Sequence, residues 1–303
     1  MITIIIAIFN EEENIIPLYN ELKNFVTKPY EIIWVDDGST DQSLEKIEEI
    51  SRNNPEVKCL SFSRNFGHQP ALMAGLRYAT GNTIIIMDGD FQHPPSMLPV
   101  LLDEMSKGYD IVSGKRNETG NKKNSKYFTS KIFYRLINLL SVTHIEEASA
   151  DFRVFNKKVL NTILQFEEKE LFLRGIFSWI GFRRKTIEYN APERIHGKTK
   201  YTGKKMISLG IKGITSFTFK PLRFSLIAGC IFSVVSFMLA IAAVIAYLYG
   251  YTVRGWTSII IAIMLLGGIQ LLFLGLIGEY IASLLTEAKK RPIYIIDKTI
   301  NID

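Results

Sequence analysis

Cysteine is almost missing from this chain, with two in 303 residues. Cys59 lies in a strand-like run and Cys230 in an apolar one, a spacing that suits neither zinc nor a disulfide framework and fits a reducing compartment. A basic leader is also lacking: Met1–Phe9 is apolar but too short to span a bilayer, so it reads as a buried first strand rather than a signal peptide. Charge is absent from Phe224–Tyr249 and from Ser258–Gly278, and roughly 20 apolar helical residues are enough to cross the hydrocarbon core. No nucleic-acid reader motif accompanies the basic residues, so no nucleic-acid partner is expected.

What is present is a basic balance, net charge +6, with lysines and arginines crowded between Arg183 and Arg223 and again at Lys289, Lys290 and Arg291. These clusters flank the apolar region, which points to anionic lipid and phosphorylated substrates. The connection Gly250–Thr257 between the apolar runs carries only Arg254. By the positive-inside rule the two runs form a transmembrane hairpin with both chain termini cytoplasmic. Four segments follow: a catalytic domain over 1–200, an amphipathic juxtamembrane segment over 201–223, two membrane helices over 224–285, and a cytoplasmic tail over 286–303. The tail alternates strand-like residues over Pro292–Asp297 and is expected to join a sheet edge, in its own or a neighbouring subunit.

Through the first half, short β-branched runs alternate with helical ones. Ile2–Phe9, Glu31–Val35, Val57–Phe62, Thr83–Met87 and Asp110–Ser113 predict strands; Glu12–Val26, Ser43–Asn53, Gln69–Thr80 and Ser96–Lys107 predict helices. Continuous apolar strands joined by helices give an α/β fold with a mostly parallel sheet covered on both faces. Ligands on such sheets gather beyond the carboxyl ends of the strands. After Ser113 the pattern loosens, with helices expected at Tyr127–Leu140, Lys157–Gln165 and Leu171–Ile180, a strand at Phe182–Tyr189, and a basic loop at Arg194–Lys205.

Polar groups stand where those strands end. Phe9-Asn10-Glu11 follows the first strand and offers amide and carboxylate groups to a uracil or ribose, or a cap to the next helix. Asp36 and Asp37 end the second; adjacent acids point different ways, so one can accept from a nucleobase or ribose while Asp41 caps the following helix. The strongest element is Asp88-Gly89-Asp90-Phe91-Gln92-His93. Two carboxylates around a glycine, directly after an apolar strand, suit Mg2+ or Mn2+ held together with substrate phosphates. His93 either helps to ligate or packs before Pro94.

These elements, with Ser63–Gln69, Ala150-Asp151-Phe152-Arg153 and Arg194–Tyr201, resemble the family-2 glycosyltransferases of GT-A (Rossmann-like) fold. The similarity is to the polyprenyl-phosphate branch that includes bactoprenol glucosyltransferases and dolichol-phosphate mannosyltransferases. It covers the chain from the N-terminus to the basic loop and extends to the membrane hairpin. It implies that Phe9, Asn10, Glu11, Asp37, Asp88 and Gln92 bind the nucleotide sugar, with Arg194, Lys198 and Lys200 closing over its diphosphate. Asp88, Asp90 and Gln92 would hold the metal, and Asp90 and Asp151 would carry the chemistry, Asp151 as base or as an orienting group. Lys115, Arg116, Arg135 and Arg153 are the acceptor-phosphate candidates. One departure is Gly89, where many relatives carry alanine.

The activity so implied is inverting transfer of one sugar, glucose from UDP-glucose, to a polyprenyl (undecaprenyl) phosphate. The Gln-x-x-Arg-Trp pattern of processive synthases is lacking, which argues for single-sugar transfer. The expected setting is the cytoplasmic face of a bacterial inner membrane, in a multi-pass homo-oligomer, by analogy a tetramer. Another donor sugar (N-acetylglucosamine, mannose or an aminoarabinose) and a catalytically silent membrane scaffold are the competing readings.

Overall fold

The computed structural model describes residues 1–27, 29–117, 149–169, 172–190, 220–249 and 255–302. The expected helix at Tyr127–Leu140, the loop Arg194–Lys205 and the juxtamembrane segment up to residue 219 therefore lie outside the described residues. So do Arg135, Arg194, Lys198 and Lys200.

Among the described residues, eight strands form one sheet in the order β7-β5-β6-β4-β1-β2-β3-β8. They are β1 (Ile2–Ile8), β2 (Tyr30–Asp36), β3 (Val57–Phe62), β4 (Thr83–Asp88), β5 (Ile111–Arg116), β6 (Ser149–Asn156), β7 (Arg184–Tyr189) and β8 (Ile296–Ile300). β1 runs parallel to β2 and β4, and β2 parallel to β3. β6 lies antiparallel to both β4 and β5. The central strands are buried on both faces, with Ile, Val and Trp34 at most of their inner positions, and each fully buried side chain of that size contributes about 1.5–3 kcal/mol.

Helices cover both faces. On one, α1 (Glu12–Phe25), α2 (Ser43–Arg52) and α4 (Leu98–Ser106) pack Ile15, Leu18, Ile47 and Leu101 against Ile4, Ile6, Ile32 and Trp34. On the other, α3 (His68–Tyr78), α5 (Lys157–Ile163) and α6 (Leu173–Trp179) pack Leu72, Leu160 and Ile176 against Ile5, Ile33, Val35 and Ile86. The apolar strand runs and the intervening helices of the first half thus stand where the sequence pattern puts them.

The β6 strand does not follow from that pattern. Asp151 and Arg153 alternate with Phe152 and Val154, yet all four are buried in the middle of the sheet. A strand with acid and base on one face reads as half-exposed; here helix α6 covers that face.

Two long helices follow, α7 (Lys220–Leu248) and α8 (Trp256–Ala288). Within α8, Leu265–Ala288 is long and apolar enough to cross a membrane, with a mean hydropathy of 1.7. It is the one such stretch among the described residues. Phe224, Leu226, Leu271 and Leu274 are exposed on these helices, as suits side chains whose solvent is lipid. The tail then returns to the sheet: β8 pairs antiparallel with β3 of the same chain.

Candidate active site

The ends of β1, β2, β3 and β4 and the beginning of β6 meet at one edge of the sheet. Antiparallel pairing sets Ile86 of β4 opposite Arg153 of β6. Two residues nearer that edge stand Asp88, after Ile86 on β4, and Asp151, before Arg153 on β6. His68, the first residue of α3, enters between them: its Nε2 is 3.4 Å from Asp88 Oδ1 and 3.5 Å from Asp151 Oδ2. A metal-motif carboxylate and the candidate catalytic carboxylate are therefore bridged by one imidazole.

Asp151 is 5% exposed and takes a two-point grip from Arg174 of α6, Nε to Oδ1 at 3.0 Å and Nη2 to Oδ2 at 2.8 Å. Arg174 is held in reach because Gln69 Oε1 accepts the Leu173 amide (3.0 Å), tying the start of α6 to the start of α3. Burial pushes the Asp151 carboxyl up, but the Arg174 charge and the bonds from His68 and Arg174 outweigh it and hold the group well below its ordinary range. For His68, burial pushes down, while the Asp151 bond and the Asp88 and Asp151 charges prevail and raise it.

The Asp88–His93 loop is shaped by the backbone. Phe91 has φ +61° and is buried. The Gln92 amide donates to Asp90 Oδ1 (3.1 Å), and the Gln92 carbonyl accepts from the Tyr189 hydroxyl (3.4 Å). His93 belongs to this framework: its Nδ1 accepts the Asp88 amide (2.9 Å) and its ring stacks on Phe152 at 5.0 Å. Burial lowers its pKa despite the nearby acids, so His93 packs as a neutral ring behind the motif.

Gly89 fits the same crowding. A Cβ there would come within 2.8 Å of Ile8 Cγ2, so this chain's spacing of β1 and β4 favours glycine between the acids.

Does this loop suit a divalent ion? Asp88 Oδ1 is buried and takes no hydrogen bond from the protein, with His68 Nε2 standing off at 3.4 Å, which leaves the oxygen able to accept a ligand. Asp90 stands beside it on the same turn. Among the described residues no group of three or more His, Cys, Asp or Glu side chains forms a complete cage. Two carboxylates without a closed cage match an ion that completes its shell with substrate phosphates and water.

On the other flank, loops after β1 and β2 are laced together. Asn10 Oδ1 accepts the Thr40 amide (2.8 Å), the Asn10 amide donates to Ser39 Oγ (2.9 Å), and the Glu11 amide donates to Ser43 Oγ (3.0 Å). Asp41 bonds the first amide of α2 through Oδ1 (3.0 Å) and the first amide of α1 through Oδ2 (3.2 Å), which is its expected capping role, made twice. Gly38 has φ +71°, and a Cβ there would fall 2.5 Å from the Arg64 carbonyl carbon. The β2 turn therefore lies directly against the Ser63–Gly67 loop.

Asp36 and Asp37 do point different ways, but both carboxylates meet protein donors. Asp36 takes the Ser39 amide and the Ser61 hydroxyl (3.0 and 2.8 Å). Asp37 takes the amides of Phe66 (2.6 Å) and Gly67 (2.9 Å) and is buried. The Asp37 carboxylate thus holds the 63–67 loop. Arg153 also departs from expectation: it is 4% exposed, with its guanidinium 4.5 Å from the Phe177 ring centre under α6. Facing the helix in this way, it is not presented to an incoming phosphate. Lys115 is exposed and pairs with Glu188 at 3.1 Å, with Arg116 next to it on β5.

The structure brings Asp88, Asp90, Gln92, Asp151 and the Phe9–Glu11 loop to one edge. What it adds is the contact of His68, from the Ser63–Gln69 element, and of Arg174 with Asp151, which no spacing rule reveals, since Arg174 lies 23 residues from the acid it grips.

The glycosyl transferase family 2 profile matches residues 3–164, the part that builds this edge, and a second profile, the GtrB C-terminal hairpin, matches residues 220–284. The chain belongs to glycosyl transferase family 2. Its enzymatic class is therefore glycosyltransferase, and the α/β domain is of GT-A fold. An SfII prophage-derived bactoprenol glucosyl transferase of Shigella flexneri is 39% identical over 302 residues, 98% of each chain. An uncharacterized glycosyltransferase of Bacillus subtilis, YkcC, is also 39% identical, over 99% of this chain and 94% of its own. Among solved structures, glucosyl-3-phosphoglycerate synthase from Mycobacterium tuberculosis, in complex with Mn2+, UDP-glucose and phosphoglyceric acid, superposes with a TM-score of 0.50. At 14% identity, over 71% of this chain and 77% of that one, the likeness concerns the fold.

Proposed function

We propose that this family-2 glycosyltransferase moves a single glucose from UDP-glucose to a polyprenyl phosphate at the cytoplasmic face of a bacterial inner membrane, with inversion. The observation that carries the reading is the 39% identity, over 98% of both chains, to a bactoprenol glucosyl transferase. That length takes in the sugar-transfer domain and the hairpin together.

The chemistry follows from the edge described above. An acceptor phosphate oxygen attacks the anomeric carbon from the face opposite the diphosphate, whose bond to the sugar breaks with the electron pair leaving on UDP. A phosphate monoester has a second pKa of about 6, so the nucleophile is already largely dianionic at neutral pH. Asp151, kept as an anion by Arg174, is then an orienting and charge-balancing group facing the sugar, not a proton acceptor. Asp88 and Asp90, with Gln92, would hold Mg2+ or Mn2+, which supplies neutralisation of the charge growing on the diphosphate. Phe9, Asn10, Glu11 and the loop held by Asp37 border the nucleotide, and Lys115 and Arg116 attract the acceptor phosphate. In the same reading Arg194, Lys198 and Lys200 close over the diphosphate and Arg135 joins the acceptor contacts.

Topology supports two membrane passes. β8 follows α8 after residues 289–295 and is bonded to β3, so the C-terminal end of α8 lies on the side of the catalytic domain. A chain that leaves that domain after β7 and returns to it through a spanning α8 must cross once more, and α7 is the segment available. The proposed four-part division keeps its bounds at 200, 223 and 285, the last two of which fall inside α7 and α8. Two helices per chain form a small anchor for a polyprenyl tail, which favours a homo-oligomer, by analogy a tetramer.

The test uses membranes carrying the protein, radiolabelled UDP-glucose, undecaprenyl phosphate and Mg2+, with label counted in the lipid extract and Asp90→Asn run in parallel. Metal-dependent lipid label that vanishes in the variant is the expected result. Label from another nucleotide sugar alone would correct the donor; no label from any would defeat the reading.

A further inference from the structure

The C-terminal tail is built into the catalytic domain at several points. Asn301 Nδ2 reaches the carbonyls of Ser51 and Val57 (2.9 Å each), Lys298 pairs with Glu48, and the Ser63 amide donates to the Ile295 carbonyl (3.1 Å). The last of these bonds falls where β3 gives way to the Ser63–Gly67 loop. There the Tyr294 ring stacks on Phe62, centres 5.0 Å apart and planes at 8°. Phe62 meets Phe66 edge-on at 5.8 Å. The Phe66 amide is in turn one of the two bonded by Asp37, and His68 follows directly.

We propose that Tyr294 is a positioning residue for the donor site, fixing the 63–67 loop from behind through Phe62 and Phe66. The inference rests on the reading that this loop borders the nucleotide. Asp37 restrains the loop through the Phe66 and Gly67 amides; the aromatic stack restrains it through the Phe66 ring. The tail reaches that position straight from the membrane helix, since residues 289–295 are all that separate α8 from β8. A loop that is ordered before the nucleotide arrives spends none of the binding energy on ordering, and a flat ring supplies that order where a flexible side chain of similar volume does not. Cutting the tail off would also bare the β3 edge to other strands, so point substitutions are the cleaner probe.

The full-length protein in lipid nanodiscs is titrated with UDP in the presence of Mg2+ by calorimetry, as parent, Tyr294→Leu, Tyr294→Phe and Asp37→Asn. The KM for polyprenyl phosphate is measured alongside. Leucine keeps apolar volume without a ring face, so Tyr294→Leu is expected to bind UDP roughly three- to tenfold more weakly, the scale of one lost aromatic pair. Tyr294→Phe keeps the stack and is expected to match the parent, with the acceptor KM unmoved in both. If Asp37→Asn weakens UDP binding and Tyr294→Leu does not, the tail has no positioning role and the donor reading stands. If neither weakens it, the loop does not border the nucleotide and the inference falls with that reading. Equal losses in Tyr294→Leu and Tyr294→Phe, or a Tyr294→Leu loss shared equally by the acceptor KM, would also overturn it.

Discussion

Arg174 holds Asp151 with two nitrogens, at 3.0 and 2.8 Å, inside a site where the carboxylate is almost fully buried. Removing one partner of such a pair strands the other, at a cost of about 3–5 kcal/mol. Arg174→Ala is therefore expected to lower the thermal midpoint sharply, whereas Asp151→Asn/Arg174→Ala recovers part of the loss because no charge is left unpaired. A thermal-unfolding cycle over the four proteins checks this. Additive losses would show that the two side chains do not act as a unit.

The same pair bears on the reaction. A carboxyl held well below its ordinary range is a weak proton acceptor, so Asp151→Asn should reduce kcat while leaving the position of the acid limb of the pH–rate profile unchanged. Were Asp151 the base, that limb would disappear with it.

Asp90→Asn tests the metal reading separately. Losing a charge that holds the ion on the diphosphate is expected to lower kcat by about 10²-fold or more, the scale of removing a preorganised electrostatic contact. Excess chelator should silence the parent, and Mn2+ or Mg2+ should restore it. Calorimetric Mn2+ binding in the presence of UDP, weaker in Asp90→Asn than in the parent, would assign the effect to the ion rather than to loop collapse.

How much of this was legible in the sequence differs from place to place. The strands β1, β2 and β4 were readable because isoleucine-rich runs buried on both faces leave no other periodicity, and Asp88 and Asp90 were readable because acids immediately after such a strand have few structural uses. Strand β6 was not, because Asp151 and Arg153 look like solvent-facing residues until α6 covers them. The contacts of His68 and Arg174 with Asp151 were hidden for a related reason: they arise from the meeting of α3, α6, β4 and β6, a juxtaposition that local spacing does not encode. Asp37 was visible as important, but only the fold shows that its carboxylate grips the Phe66 and Gly67 amides. A tail strand was expected over Pro292–Asp297 and stands later, at Ile296–Ile300, while its choice of β3 depends on which sheet edge stands open.

Two glycines near the site give a graded prediction. A Cβ at Gly38 would lie 2.5 Å from backbone of Arg64 at a φ of +71°, whereas one at Gly89 would lie 2.8 Å from the side chain of Ile8. Backbone cannot swing away, and an alanine at positive φ is strained in addition. Gly89→Ala is expected to cost about 1–3 kcal/mol, as overpacking does, and Gly38→Ala more. Thermal midpoints of the two variants rank them; a Gly38→Ala protein as stable as Gly89→Ala would contradict the close approach of the two loops.

At the far end of the sheet, Glu31 offers a test of folding apart from catalysis. Its Oε1 accepts from Thr3 Oγ1 (2.5 Å) and from the Thr80 amide and hydroxyl (2.8 and 2.7 Å), and its Oε2 meets Lys58 Nζ at 2.7 Å. Burial pushes the carboxyl up, but the Lys58 and threonine bonds together outweigh it and lower the pKa. A carboxyl depressed in the folded state stabilises above its unfolded pKa of about 4.3, and loses that contribution as the pH falls through the folded value. Glu31→Gln should thus cost about 1–3 kcal/mol at neutral pH, the worth of bonds to a buried charge. Melting curves taken from pH 7 downward should show the gap between parent and variant at full size near neutrality and closing below about pH 4. A gap that widened on acidification would mean that Glu31 enters the fold protonated, and that Lys58 does not hold it as an anion.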